Sequence, residues 1–225
     1  MASTSFAEQM FREAFHLNSS AALEAMAGNG AEASSLFKHA LKIISFIDIG
    51  PNTGLNCGNR LARSVSTIPL AFSKDESFCI YDRLLIFERP QGVGPAEAFD
   101  LTFYSAAIIF NMGLVFHQQG SIFGSRKFYA AAYRMYEKAL NIIDNVPIFG
   151  DSDLDALHLA ALNNRAHICL QMGTVRNTES DLENIRLLSS ALLYSESFRP
   201  HLEETMISEI LINSMVSGPV CAACA

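Results

Sequence analysis

Small and apolar residues recur at helical spacing in two stretches of the chain that align without a gap. Ala33, Phe37, Ala40, Leu41, Ile43 and Ile44 fall at the same offsets as Ala132, Tyr136, Ala139, Leu140, Ile142 and Ile143. Steps of four and then three residues set Ala33, Phe37 and Ala40 along one face of a helix, and Ala132, Tyr136 and Ala139 along one face of another. Such a face has to be covered. Alanine lets a second helix approach closely, and the aromatic ring fills the space beside it. Both stretches read as the second helix of an antiparallel hairpin.

A different similarity supplies the first helices. Phe110, Asn111, Gly113 and Gly120 align with Asn163, Asn164, Ala166 and Gly173. In each copy a small residue follows Asn111 or Asn164 by two positions, and seven positions later comes a glycine, which suits a left-handed helix terminus. An N-terminal copy keeps the small residue and the terminal glycine as Ala21 and Gly28. Gly28, Ala33, Phe37, Ala40, Gly113, Gly120, Ala132, Tyr136, Ala139, Ala166 and Gly173 are therefore the expected packing contacts between repeated helices.

The pattern changes between the first two hairpins. Residues 50–63 are rich in Gly and Asn and contain Pro51, which reads as a loop. Residues 66–72 and 78–87 have β-branched and aromatic character on either side of a polar 73–77 turn, which predicts a β-hairpin. Pro90, Gly92, Gly94 and Pro95 close the insertion, and helices resume near Ala96. Arg199 and Pro200 open a last amphipathic segment, with Leu202, Met206, Ile207, Ile210 and Leu211 at helical spacing, suited to cap the final hairpin. The expected organisation is a first hairpin over 1–49, an insertion over 50–99, two further hairpins with a capping helix over 100–216, and a tail over 217–225.

The turn from Gly28 into Ala33, Phe37, Ala40 and Leu41 resembles the tetratricopeptide repeat, whose first helix carries a small residue and ends at Gly, and whose second follows an Ala, aromatic, Ala pattern. The likeness spans roughly two thirds of the chain in degenerate form. Gly30 stands where the family has an aromatic residue, 121–127 lengthens the second copy, the third keeps only its first helix clearly, and the chain contains no Trp. The whole is also similar to uncharacterised repeat proteins of microalgae, a likeness that implies no activity. The resemblance implies an all-α, right-handed superhelix of about three helical hairpins, with the β-hairpin inserted and a helix as cap.

Composition narrows the function classes. With 50% hydrophobic and 17% charged residues, the chain can bury a continuous core. Its net charge of −7 comes without a basic block, which argues against nucleic acid and against anionic membranes. The most apolar stretch, 105–116, falls short of the roughly 20 residues needed to span a bilayer. Glu8, Arg12 and Glu13 interrupt the first residues where a secretory leader needs an apolar run, so an intracellular, cytoplasmic protein is expected.

Five cysteines, at 57, 79, 169, 221 and 224, form an odd set that reads as free thiols. Ala222 stands fourth from the end, where a prenylation box needs cysteine. The histidines form no His-Glu-x-x-His run, no Gly-x-Ser-x-Gly elbow occurs, and Gly92 and Gly94 lack the rest of a phosphate loop. No catalytic residues, metal or cofactor are expected, and the chain reads as a non-enzymatic adaptor. The alternatives are a redox or metal-responsive factor using Cys221 and Cys224, and a structural subunit of a permanent complex. Glu179, Asp181, Glu183, Glu203, Glu204 and Glu209 read as a solvated acidic face.

The resemblance further implies a concave groove lined by first-helix residues. Carried onto this sequence, the groove comprises Phe110, Asn111, Leu114, His117 and Gln118, then Asn163, Asn164, His167 and Gln171, with Ala107, Ala160 and Leu170 beside them. Asn and Gln offer donors and acceptors to a peptide backbone, though Asn111 and Asn164 serve equally to bond a neighbouring helix. No Lys or Arg stands among them, so a neutral, partly apolar peptide or partner helix is expected. The hairpin edge, with Ile80, Leu84 and Ile86, either pairs with a strand of another chain or is buried against the helices. Neither partner identity nor oligomeric state is written in the sequence.

Overall fold

The computed structural model describes residues 6–47, 64–72, 78–88, 98–145, 152–193 and 204–216. Among these, seven helices and a two-stranded antiparallel sheet are formed: α1 (Phe6–Met26), α2 (Gly30–Ser45), β1 (Ser64–Pro69), β2 (Arg83–Glu88), α3 (Ala98–Phe123), α4 (Arg126–Asp144), α5 (Ser152–Met172), α6 (Val175–Leu193) and α7 (Glu204–Val216). The 50–63 loop, the 73–77 turn, the 90–95 segment, Arg199, Pro200, Leu202 and the 217–225 tail with Cys221 and Cys224 lie outside the described residues, as does Cys57.

Helices α1 and α2, α3 and α4, and α5 and α6 pack as successive hairpins, and α7 lies on α6. The repeated stripes make these contacts. Ala33, Phe37, Ala40, Ala132, Tyr136, Ala139 and Ala166 are all fully buried. Helix α3 is apolar on nearly every side, as a helix covered all round should be.

Three of the hairpins turn on the same device. The N–H of Asn29 donates to the Glu24 carbonyl, that of Ser125 to Gly120, and that of Thr174 to Cys169, each across a glycine with positive φ. Those glycines are Gly28, Gly124 and Gly173, at +83°, +59° and +71°. A residue with a Cβ is strained there. Gly120 is thus not the left-handed terminus that the alignment suggests. It lies inside α3, where an added Cβ would stand 2.7 Å from the Tyr129 ring, so it is small for packing rather than for backbone freedom. The extra residues 121–127 form no long linker either, because α3 runs on to Phe123 and α4 starts at Arg126.

The strands pair from Ser64 opposite Glu88 to Pro69 opposite Arg83, shorter than the 66–72 and 78–87 expected. The Leu70 N–H donates to the Asp82 carbonyl at 2.8 Å, which puts Pro69 at a position whose missing N–H would point away from β2. The same alternation turns the peptide groups of Tyr81 and Leu85 away from β1 and toward the helices. Leu84 and Ile86 are buried, with Phe87 packed among Phe15, Phe103 and Tyr104. Burial of the hairpin is the use that the structure makes of those side chains.

Asp181 departs from the solvated face. It is buried on α6 and accepts two hydrogen bonds from the Arg165 guanidinium of α5, which neutralises a carboxylate that burial would otherwise penalise. Glu179, Glu183 and Glu209 are exposed.

Candidate binding face

Helices α1, α3, α5 and α7 each aim an asparagine at the same stretch of chain, residues 79–85. On α3, Asn111 Oδ1 accepts from the Leu85 N–H at 2.9 Å while its Nδ2 donates to the Leu85 carbonyl at 2.8 Å. On α5, Asn164 does the same for Tyr81 at 2.9 and 2.8 Å. On α7, Asn213 repeats it on Cys79 at 2.9 and 2.7 Å. A primary amide offers one acceptor and a paired donor in a plane, so each asparagine stands in for the peptide group of a neighbouring strand.

Further amides reinforce both ends of the row. Asn18 of α1 donates to the Leu85 carbonyl at 2.9 Å and accepts from Asn111 at 3.1 Å. Asn163 donates to the Cys79 carbonyl at 2.8 Å and accepts from Asn213 at 2.8 Å. Gln118 reaches the Ala71 carbonyl at 2.7 Å. Asn111 thus bonds a neighbouring helix through Asn18 and the chain's own backbone at Leu85.

The residues expected to line a groove do come together. Phe110, Asn111, Leu114, His117, Gln118, Asn163, Asn164 and His167 are buried, whereas Gln171 is exposed. Asn111, Asn163, Asn164 and Gln118 are covered by the chain's own insertion. Phe110 packs on Tyr81 at a ring separation of 5.7 Å. Ala107 and Ala160 are buried with them, and Leu170 is 41% exposed.

Sequence reasoning missed Asn18 and Asn213. Asn18 stands three positions before Ala21, not two, and so holds the register of Asn163; Asn213 is followed by neither the small residue nor the glycine of its counterparts. Only a common backbone target reveals the set.

Under the insertion lies a buried polar chain. His117 Nε2 is 2.8 Å from His167 Nδ1, His117 Nδ1 is 3.2 Å from the Tyr136 hydroxyl, and Asn164 Nδ2 donates to that hydroxyl at 3.3 Å. At the other end His167 Nε2 lies 3.2 Å from the Gln171 amide. Burial pushes His117 well below the usual imidazole range, and the neighbouring His167 pushes the same way. Burial likewise raises the Tyr136 and Tyr81 phenols. His117, Tyr136 and Tyr81 are thus held neutral near pH 7.

Cys79 is equally quiet. Burial first, then the hydrogen bond and charge of Glu209 at 3.1 Å, push its thiol up to about 12. A thiol so shifted carries almost no thiolate and is a poor nucleophile. Among the described residues no group of three or more His, Cys, Asp or Glu side chains is arranged to hold a metal ion, and no helix is long and apolar enough to cross a membrane. Hydrogen bonding to the main chain of the protein's own residues 79–85 is the chemistry this face displays. No family model, curated protein or solved structure matches the chain.

Proposed function

We propose that the protein is an interaction adaptor of the tetratricopeptide type, which binds an extended segment of a partner polypeptide across α1, α3, α5 and α7. One observation carries this reading: asparagine amides of α7, α5 and α3 grip residues 79, 81 and 85 of one stretch of chain through its N–H and C=O groups alone. Because main-chain groups are common to all sequences, such a row accepts any segment whose side chains fit between the helices, and selectivity falls to those side chains. The chain's own residues 79–85 are then a resident ligand held in cis. The row supplies no cationic side chain, so the preferred occupant is neutral and apolar rather than an acidic C-terminus.

The test uses the full chain with Tyr81→Asp and Leu85→Asp, two charges that disfavour docking of its own segment. A labelled peptide of sequence 78–88 is expected to bind this variant, by fluorescence anisotropy, and to lose binding when Asn164→Ala is added. Absence of binding with helicity retained by circular dichroism, or tighter binding of an acidic C-terminal peptide, would reject the reading.

A further inference from the structure

Helix α7 carries the backbone clamp of a first helix, but among the described residues it lacks the second helix that covers the others. Asn213 holds Cys79 as Asn164 of α5 holds Tyr81 and Asn111 of α3 holds Leu85, so the three asparagines fix a common register for α7, α5 and α3. In that register Ile212 and Met215 stand where α3 has Phe110 and Gly113. Both α3 residues are buried, and Tyr136 of α4 covers them: its ring lies 5.4 Å from that of Phe110, and a Cβ added to Gly113 would come within 2.7 Å of it. The α5 counterparts, Asn163 and Ala166, are buried as well. On α7 the same two positions are open, with Ile212 54% and Met215 61% exposed. They form one stripe with the half-buried Ser208 and Leu211, at steps of three and four residues, turned away from the buried Ile207, Ile210 and Ser214.

We infer that this stripe is the contact face of a symmetric dimer, in which α7 of one copy packs antiparallel on α7 of a second. The inference stands apart from the adaptor reading above.

The repeat itself indicates that the cover is a helix, and Met215 indicates which kind. At Gly113 the missing side chain lets the Tyr136 ring close onto the α3 backbone. Methionine fills that space, so a helix with the aromatic stripe of α4 cannot seat on α7 at the same distance. A helix whose aliphatic side chains interlock with Leu211, Ile212 and Met215 can, and α7 is such a helix. About a two-fold axis midway between Leu211 and Ile212, Leu211 meets the partner's Ile212, and Met215 lies over the partner's Ser208, large against small. Glu209, beside the stripe, is turned to Cys79, so the stripe itself brings no charge to the contact. Because each copy offers the same patch, the assembly closes at two. The opposite end of the array makes a poor cover: α1 and α2 expose Arg12, Glu13, His16, Glu32, Lys38 and Lys42, and stacking head to tail would set such charges against the apolar stripe.

Sedimentation velocity of the full chain over a concentration series reads the dimer directly. A single pair of helices is a small interface, so reversible association with a micromolar dissociation constant is expected. Ile212→Glu and Met215→Glu each place a carboxylate that is exposed in one copy but buried and unpaired in the dimer. Each is expected to weaken association by about a hundredfold or more, with helicity by circular dichroism unchanged. Leu23→Glu, on α1 at a position 61% exposed, is expected to associate as the wild type does. A wild-type chain that stays monomeric up to about 1 mM overturns the proposal. A dimer that survives both α7 variants also overturns it, as does one lost equally in Leu23→Glu. If only a chain lacking residues 217–225 dimerises, the protein's own tail takes the face and the proposal is overturned.

Discussion

Asn164 and Tyr81 exchange two hydrogen bonds, with the Tyr81 N–H donating to Oδ1 at 2.9 Å and Nδ2 donating to the Tyr81 carbonyl at 2.8 Å. Both residues are buried, so water cannot replace either bond. Asn164→Leu keeps the branched shape but leaves the Tyr81 N–H and carbonyl without partners and removes one donor to Tyr136 Oη. Each buried polar group left unpaired costs about 1–3 kcal/mol, so a loss of about 2–5 kcal/mol is expected by chemical denaturation. Asn145→Ala, at an exposed position where the amide only reaches back to the Asn141 carbonyl, is the control, with an expected change within about 0.5–1 kcal/mol. Equal effects would mean that the clamp contributes little.

Two glycines separate tight packing from apparent packing. A Cβ at Gly113 would stand 2.7 Å from Tyr136 Cε1, and that ring cannot retreat because its hydroxyl is held by His117 and Asn164. Gly113→Ala is expected to cost about 1–3 kcal/mol despite the helix propensity it gains. A Cβ at Gly30 would meet Gln119 Nε2 at 2.1 Å, a closer approach on paper but to the free end of a flexible side chain. Gly30→Ala is expected to cost less, and thermal unfolding of the two variants side by side would expose the reverse order.

These contacts mark where sequence legibility ends. The stripes of Ala33, Phe37 and Ala40 and of Ala132, Tyr136 and Ala139 are readable because periodicity is local, and all six are buried as their spacing implies. The β-hairpin is readable from its β-branched and aromatic residues. What covers Asn111 and Asn164 is not, because their backbone partners lie 26 and 83 residues away and no local pattern encodes that choice. Gly120 misleads for a related reason: glycine at a helix end and glycine under an aromatic ring look alike until Tyr129 is in place. Asp181 reads as surface because its acidic neighbours are exposed, and only the fold brings Arg165 to it.

Thiol chemistry offers an independent check on the docked segment. With its pKa near 12, Cys79 carries about three orders of magnitude less thiolate at pH 8 than an ordinary cysteine. Site-resolved alkylation by mass spectrometry is expected to find Cys79 slow in the native protein and fast in denaturant. Glu209→Gln removes the charge, one of the causes that raise this thiol, and should accelerate labelling without unfolding α7. Rapid labelling of native Cys79 would show that the segment spends much of its time off the helices.

Global stability should carry the signature of the buried His117 imidazole. The sign follows from which state binds more protons. His117 is held neutral in the folded chain, with its pKa well below 6.5, while the unfolded chain takes up a proton near 6.5. Its contribution is thus fully present above about pH 6.5 and is lost as pH falls from there toward the folded value. Between pH 7.5 and 5.5 the loss integrates to roughly 1.4 kcal/mol for one such histidine. His158, lowered by burial against the opposing pull of Asp144, adds to the loss in the same direction. Denaturant titrations at the two pH values should therefore show a less stable protein in acid, with the difference reduced in His117→Gln. Unchanged or greater stability at pH 5.5 would mean that His117 carries its proton in the folded protein.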